Sequence, residues 1–187
     1  LGSRDRDIQL MKAASWAMPT LAKAEKFYHV KRDMHYAFLW LMHVVEALAR
    51  VETLSNGEVA QREVIHQAIR FNPAFFNAIY TDLIDGPKDE ETIGKALEMI
   101  DEYLMDRVTD IYKPLYDFLT EEQGARTATE ITERFTKVAQ ASEISMACEW
   151  LADRDVIEKV SAPVRLTKNS QVSMEEAAYY YDEEMAL

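Results

Sequence analysis

The run His35-Tyr36-Ala37-Phe38-Leu39-Trp40-Leu41-Met42-His43-Val44-Val45-Glu46-Ala47-Leu48-Ala49-Arg50 is apolar around nearly its whole circumference when wound as a helix. A helix without a polar face is stable in water only when other elements surround it, so this one belongs at the centre of a bundle. Its ends are marked by Asp33, a good N-cap, and by Asn56-Gly57, a turn and C-cap signal. The flanking sequence supplies the surrounding helices. Ile8, Met11, Ala14, Met18, Leu21 and Ala24 fall at helical spacing and predict a first helix over 4–29, kinked or split by Pro19. A third helix is expected over 58–70. A fourth starts at Asn72-Pro73, carries Phe76, Ile79, Tyr80 and Leu83, and stops at Asp85-Gly86-Pro87. Ile93, Leu97, Ile100, Leu104, Val108, Ile111, Leu115 and Phe118 recur at steps of three and four, which predicts one long fifth helix, bent near Pro114 and closed by Gly124.

After Gly124 the pattern changes. Thr127-Ala128-Thr129-Glu130 is a capping box and opens a short helix to about Lys137. A second short helix is expected from Ser142 to Asp153, with Ile144, Ala147, Cys148 and Leu151 on one face. Val156–Val160 and Val164–Leu166 are strand-like, Lys168-Asn169-Ser170 reads as a turn, and Val172–Tyr181 suits a strand or a short helix. Helix, helix and hairpin is the order of a winged helix, and Leu151-Ala152-Asp153-Arg154-Asp155-Val156-Ile157 suits the junction from helix to wing. The expected fold class is mainly α: a bundle of about five helices over 4–122, then a small winged-helix (α+β) domain over 125–184.

Composition narrows the function classes. Only five glycines occur in 187 residues, which favours helix over a glycine-rich phosphate loop. The net charge of −12 disfavours nucleic acid held by many phosphate contacts, and it disfavours anionic membranes. No stretch approaches the roughly 20 apolar residues of a membrane span, and residues Leu1–Ile8 have no apolar signal core. Cys148 is the single cysteine, so an intrachain disulfide or a cysteine-built zinc site is ruled out and a reducing cytoplasm is expected. Leu1-Gly2-Ser3 reads either as the remnant of a cleaved fusion tag or as a natural start.

The candidate chemistry is sparse. His29, His35, His43 and His66 form no His-Glu-x-x-His motif. His35 and His43 lie about 80° apart around a helix and do not share a face, so no metal ligands and no cofactor are expected. Nothing marks a serine as an activated nucleophile. Arg32–His35 and Arg62–His66 are too closely spaced for the Arg-x(4–6)-His ribonuclease motif of helical domains. Gly2-Ser3-Arg4-Asp5-Arg6-Asp7 is similar to the Gly-Ser and paired-Asp signature of nucleotidyltransferases, but that chemistry needs two carboxylates on a strand, and here they open a helix. Tyr36, His43, Glu46 and Arg50 form a polar stripe on the apolar helix, either a buried network that fixes packing or a cleft for a ligand, RNA or protein partner. In the winged helix the reading helix should present Glu143, Ser145, Glu149 and Asp153 outward, and the cations available for nucleic acid are Arg154, Arg165 and Lys168. From Glu121 onward there are seven basic and fourteen acidic residues, so docking on DNA is disfavoured and a structural or protein-contacting role is favoured.

The run Tyr36–Glu52, followed about 20 residues later by Phe71-Asn72-Pro73-Ala74-Phe75-Phe76-Asn77-Ala78-Ile79-Tyr80-Thr81-Asp82-Leu83-Ile84, resembles the C-terminal half of bacterial nucleotidyltransferase-like proteins, related to the kanamycin nucleotidyltransferase C-terminal helical domain. The resemblance covers roughly residues 4–182 and rests on hydrophobic patterns. It implies a helical region that closes over substrate or forms a dimer beside an N-terminal domain holding nucleotide and metals. This chain lacks that domain, so the expectation is a piece of a longer protein or a subunit beside a separate catalytic one. The expected function is a non-catalytic substrate- or partner-binding and assembly region with a protein partner or self-association. The alternatives are a winged-helix transcription regulator with a helical dimerisation or sensor domain, and an adaptor module in a larger complex.

Overall fold

The computed structural model describes residues 2–121, 124–141, 143–167 and 170–182, without the side chains of residues 3 and 165–173. The chain is mainly helical, with a small three-stranded antiparallel sheet, and divides into two compact units, Leu1–Tyr112 and Lys113–Leu187.

The first unit is all helix. α1 (Ser3–Glu25) packs along α2 (Met34–Ser55), burying Leu10, Met11, Ala14, Ala17, Met18, Leu21 and Ala24. Pro19 sits inside an unbroken α1 instead of splitting it, and the helix continues into a π-helical segment, Lys26–Lys31, that ends where Arg32 turns left-handed at φ 53°. Asp33 caps α2 as expected, accepting from the Tyr36 amide at 3.0 Å. α2 buries Ala37, Leu41, Val44, Val45, Leu48, Val51 and Leu54, and each large aliphatic among them contributes about 1.5–3 kcal/mol by leaving water. Its enclosure is incomplete, however: Tyr36, Leu39, His43 and Glu46 stay exposed along one side.

Two helix boundaries differ from the sequence reading. α3 spans Val64–Phe71, not 58–70. Gly57, at φ 78°, ends α2, and the Gln67 side chain then holds the following loop open, accepting from the Gln61 amide at 2.8 Å and donating to the Val59 carbonyl at 3.2 Å. The expected single long helix is three: α6 (Glu90–Met105), α7 (Val108–Ile111) and α8 (Lys113–Thr120). Arg107 (φ −115°, ψ 3°) and Tyr112 (φ −101°, ψ 14°) leave helical geometry between them, and Pro114 falls in the first turn of α8, where a missing N–H costs nothing. α8 groups with the second unit. Between α3 and α6, Asn72 caps α4 (Pro73–Phe76), which runs through a π-helical segment, Asn77–Thr81, into α5 (Asp82–Asp85). Gly94 lets α6 approach the π-helical segment after α1, since a Cβ there would collide with the Tyr28 hydroxyl.

In the second unit α8 is followed by β1 (Arg126–Thr127), α9 (Ala128–Ala139), α10 (Ile144–Ala152), β2 (Glu158–Thr167) and β3 (Ser170–Tyr180), with strand order β1-β3-β2. The capping box at Thr127 and Glu130 forms with both hydrogen bonds in place, 2.9 and 3.2 Å. The two short strands expected at 156–160 and 164–166 are one strand, β2, whose register against β3 shifts between Pro163 and Arg165 because proline offers no ladder donor. The segment 172–181 is largely strand, not helix. The expected turn at Lys168-Asn169 lies outside the described residues. Ile131, Phe135, Ile144, Ala147, Cys148, Leu151, Ile157, Ala178 and Tyr179 form this unit's core with Leu115, Tyr116 and Leu119 of α8.

Candidate functional site

A cleft of about 720 Å³ opens between α1, α2 and the loop after Gly57. α1 contributes Gln9, Lys12, Ala13, Trp16 and Thr20, which fall at helical spacing on one face; α2 contributes His43, Glu46, Ala47, Arg50 and Leu54; the loop adds Val59 and Ala60. The small side chains of Ala13 and Ala47 keep the floor open between the two helices. Trp16, 60% exposed, and Val59, 65% exposed, form apolar walls. An indole exposed to this extent beside a cleft is a stronger signal than an isolated exposed leucine.

Three of the four stripe residues meet here. His43, Glu46 and Arg50 line the cleft, with Arg50 Nη2 donating to Glu46 Oε1 at 2.8 Å. Tyr36 does not join them: its ring stacks on Phe27 at 5.1 Å, beyond the cleft. Between the two ends, Lys23 Nζ sits 4.1 Å above the Trp40 ring, and Trp40 packs against His43 at 5.6 Å. The stripe is thus a solvent-facing surface and not a buried network.

The buried network lies elsewhere in the first unit. Glu52, only 6% exposed, accepts from Tyr103 Oη at 2.8 Å and from Asn56 Nδ2 at 3.2 Å, with Arg107 Nη2 at 3.7 Å. Phe75 stacks on the Tyr103 ring at 4.3 Å, and the Arg107 guanidinium covers it at 3.9 Å. Burial, followed by the adjacent Glu52 charge, raises the Tyr103 hydroxyl pKa far above its ordinary range, so Tyr103 remains a donor. Glu52 extends the buried stripe Leu41, Val45, Leu48 by one more step, which is the signal that marks it in the sequence. Gln9, Lys12 and Trp16 are not singled out by the sequence reading; the signal that could have found them is their place as the polar and aromatic edge beside the apolar stripe of α1.

In the second unit, two charged side chains of α10 and its C-terminal end, Glu149 and Arg154, are engaged within the unit. Glu149, expected to face outward, accepts from Lys159 Nζ at 2.7 Å and from the Tyr179 hydroxyl. These two hydrogen bonds hold its carboxyl below the usual glutamate range. The physical reason is reach: α10 lies close enough to the sheet for a glutamate side chain to bridge to it. Glu143 and Ser145 are half-buried, whereas Asp153 is exposed. Arg154 folds back on its own helix, its guanidinium 4.1 Å from the Trp150 ring and donating to the Trp150 carbonyl at 3.3 Å. The side chain of Arg165, and Lys168 altogether, lie outside the described residues. Burial pushes the Cys148 thiol up to about 12, which leaves it a packing residue.

Asp5 and Asp7 lie in the first turns of α1, not on a strand. Among the described residues no three His, Cys, Asp or Glu side chains cluster so as to hold a metal ion, and no helix is long and apolar enough to cross a membrane.

No family model matches the sequence, and no curated protein matches it. Among solved structures, a nucleotidyltransferase-like protein from Exiguobacterium sibiricum 255-15 is similar over 97% of this chain, with a TM-score of 0.75 and 18% identity. The chain spans 60% of the length of that protein. At this identity the likeness is one of fold, and it gives the chain, at a coarse level, the fold of a nucleotidyltransferase-like protein.

Proposed function

We propose that this chain is the helical ligand- or partner-binding region of a nucleotidyltransferase-like protein, that it performs no transfer by itself, and that its second unit is a winged helix serving assembly. The observation that carries the reading is the fold likeness across 97% of the chain to a nucleotidyltransferase-like protein of greater length. The α1–α2 cleft supports the binding role, since it combines an apolar floor and walls with a few polar groups on a rigid helical scaffold. The placement of Asp5 and Asp7 in the first turns of α1, where the two-metal chemistry needs paired carboxylates on a strand, supports the non-catalytic role. The strand order β1-β3-β2 behind two helices supports the winged helix. Glu149 and Arg154, both turned onto their own unit, favour assembly over DNA docking, because a groove-reading helix needs cations free to reach phosphates.

The test is incubation of the full chain with labelled nucleoside triphosphates, magnesium and a panel of hydroxyl and amine acceptors. No transfer above background is expected, and transfer that follows the chain through purification would overturn the reading. A gel shift across a salt series checks the regulator alternative. Weak, sequence-independent retention is expected; tight binding with a slope of several counterions would favour DNA docking instead.

A further inference from the structure

We infer that the α1–α2 cleft takes a small anion carried on a flat aromatic ring, an inference that rests on the binding role proposed above and names its ligand class. Size is the first argument. About 720 Å³ lies within the range of small-molecule sites, roughly 300–1,000 Å³. The groove also does not run on along α2 as a peptide channel would. Lys23, Trp40 and His43 close its upper end, and Tyr36 is held beyond them against Phe27.

The second argument is the stacking face. Trp16 presents a largely exposed indole in a cleft that Ala13, Ala47, Leu54 and Val59 also line. A planar ring stacked on this indole gains apolar contact and displaces water from its exposed part.

The third is charge. In a chain of net charge −12, the cleft is lined by two cations, Lys12 and Arg50, against a single carboxylate, Glu46. Glu46 occupies only one of the Arg50 nitrogens, and the pair is about half exposed, so it is weak and easily redirected. The guanidinium keeps donors in a planar fork that matches a carboxylate or a phosphate. Lys12 stands across the cleft on α1, so the anionic group is met from both helices.

The experiment is calorimetric titration of the full chain with two charged probes, indole-3-acetate and adenosine 5′-monophosphate, and their uncharged counterparts, tryptophol and adenosine. At least one charged probe is expected to bind about tenfold more tightly than its counterpart. The probe that binds decides between carboxylate and phosphate. Arg50→Gln should bring the charged probe down to the affinity of the neutral one, and Trp16→Ala should weaken both. Neither side chain is buried, so both variants are expected to retain the fold, checked by circular dichroism. Failure of both charged probes to bind at about 10 mM, equal affinity for charged and neutral probes, or affinity unchanged in both variants would each overturn the inference. These outcomes are distinct from the transfer assay: transfer would sink the accessory role and leave the ligand class standing, whereas absent binding would do the reverse.

Discussion

The outer side of α2 and the outer side of α10 make opposite use of the same residue types. On α2, His43, Glu46 and Arg50 face water across an open cleft, and their one mutual bond is a half-exposed ion pair. On α10, Glu149 is tied to Lys159 and Tyr179 of the sheet, and Arg154 just past its end lies on Trp150. Charged side chains that satisfy each other inside a unit stabilise it and have little left for a ligand. Side chains left to solvent beside an uncovered indole contribute little to stability and are available for binding. This difference is what favours the proposed recognition at the α1–α2 cleft, and a structural use of Glu149 and Arg154 in the second unit.

The contrast can be broken or sharpened by substitution. The largest effect is expected inside α2 itself: Leu48→Ala, at a fully buried position, should cost about 2–5 kcal/mol in chemical denaturation. Next is Tyr103→Phe, which leaves the buried Glu52 carboxylate without its shortest donor and should cost about 1–3 kcal/mol. A loss below about 0.5 kcal/mol would mean that Asn56 and Arg107 alone satisfy Glu52. Glu149→Gln tests the second unit through pH. The folded carboxyl is held below its ordinary range, so its contribution is complete above about pH 4.3 and disappears as the pH falls through the lower folded value. The wild type should therefore lose more stability than Glu149→Gln on acidification below that pH, measured by thermal melts. Parallel acid limbs would remove Glu149 from the account. Smallest of all, Arg50→Ala should shift stability by no more than about 0.5 kcal/mol, as expected for a half-exposed pair of this kind.

The sequence made the punctuation of the fold legible because capping is local chemistry. Asp33, Asn72 and Thr127 each accept from an amide three residues on, and no distant partner is needed to anticipate that. The breaks in the expected fifth helix were hidden for the converse reason. Apolar steps of three and four persist through Arg107 and Tyr112, where the chain turns, because residues on both sides of each turn are still buried. The late start of α3 depends on Gln67 binding backbone up to eight residues before it, a contact that periodicity does not encode. For the site, the α2 stripe was readable as spacing, but its exposure was not, since an apolar run predicts enclosure without saying which side a neighbouring helix leaves open. Tyr36 shares the stripe by angle and is drawn away by Phe27, a residue from the π-helical segment that the sequence reading placed in an ordinary helix.

The most direct test of recognition by the first unit uses the tryptophans as reporters. Trp16 and Trp40 lie in the first unit, with Trp16 lining the cleft, and Trp150 is buried in the second. In nitrogen-15-labelled full chain titrated with indole-3-acetate or adenosine 5′-monophosphate, the Trp16 indole N–H signal should move with added probe to saturation while that of Trp150 stays in place. A Trp150 signal that moves while Trp16 stays fixed, or three indole signals that never move, would contradict the account.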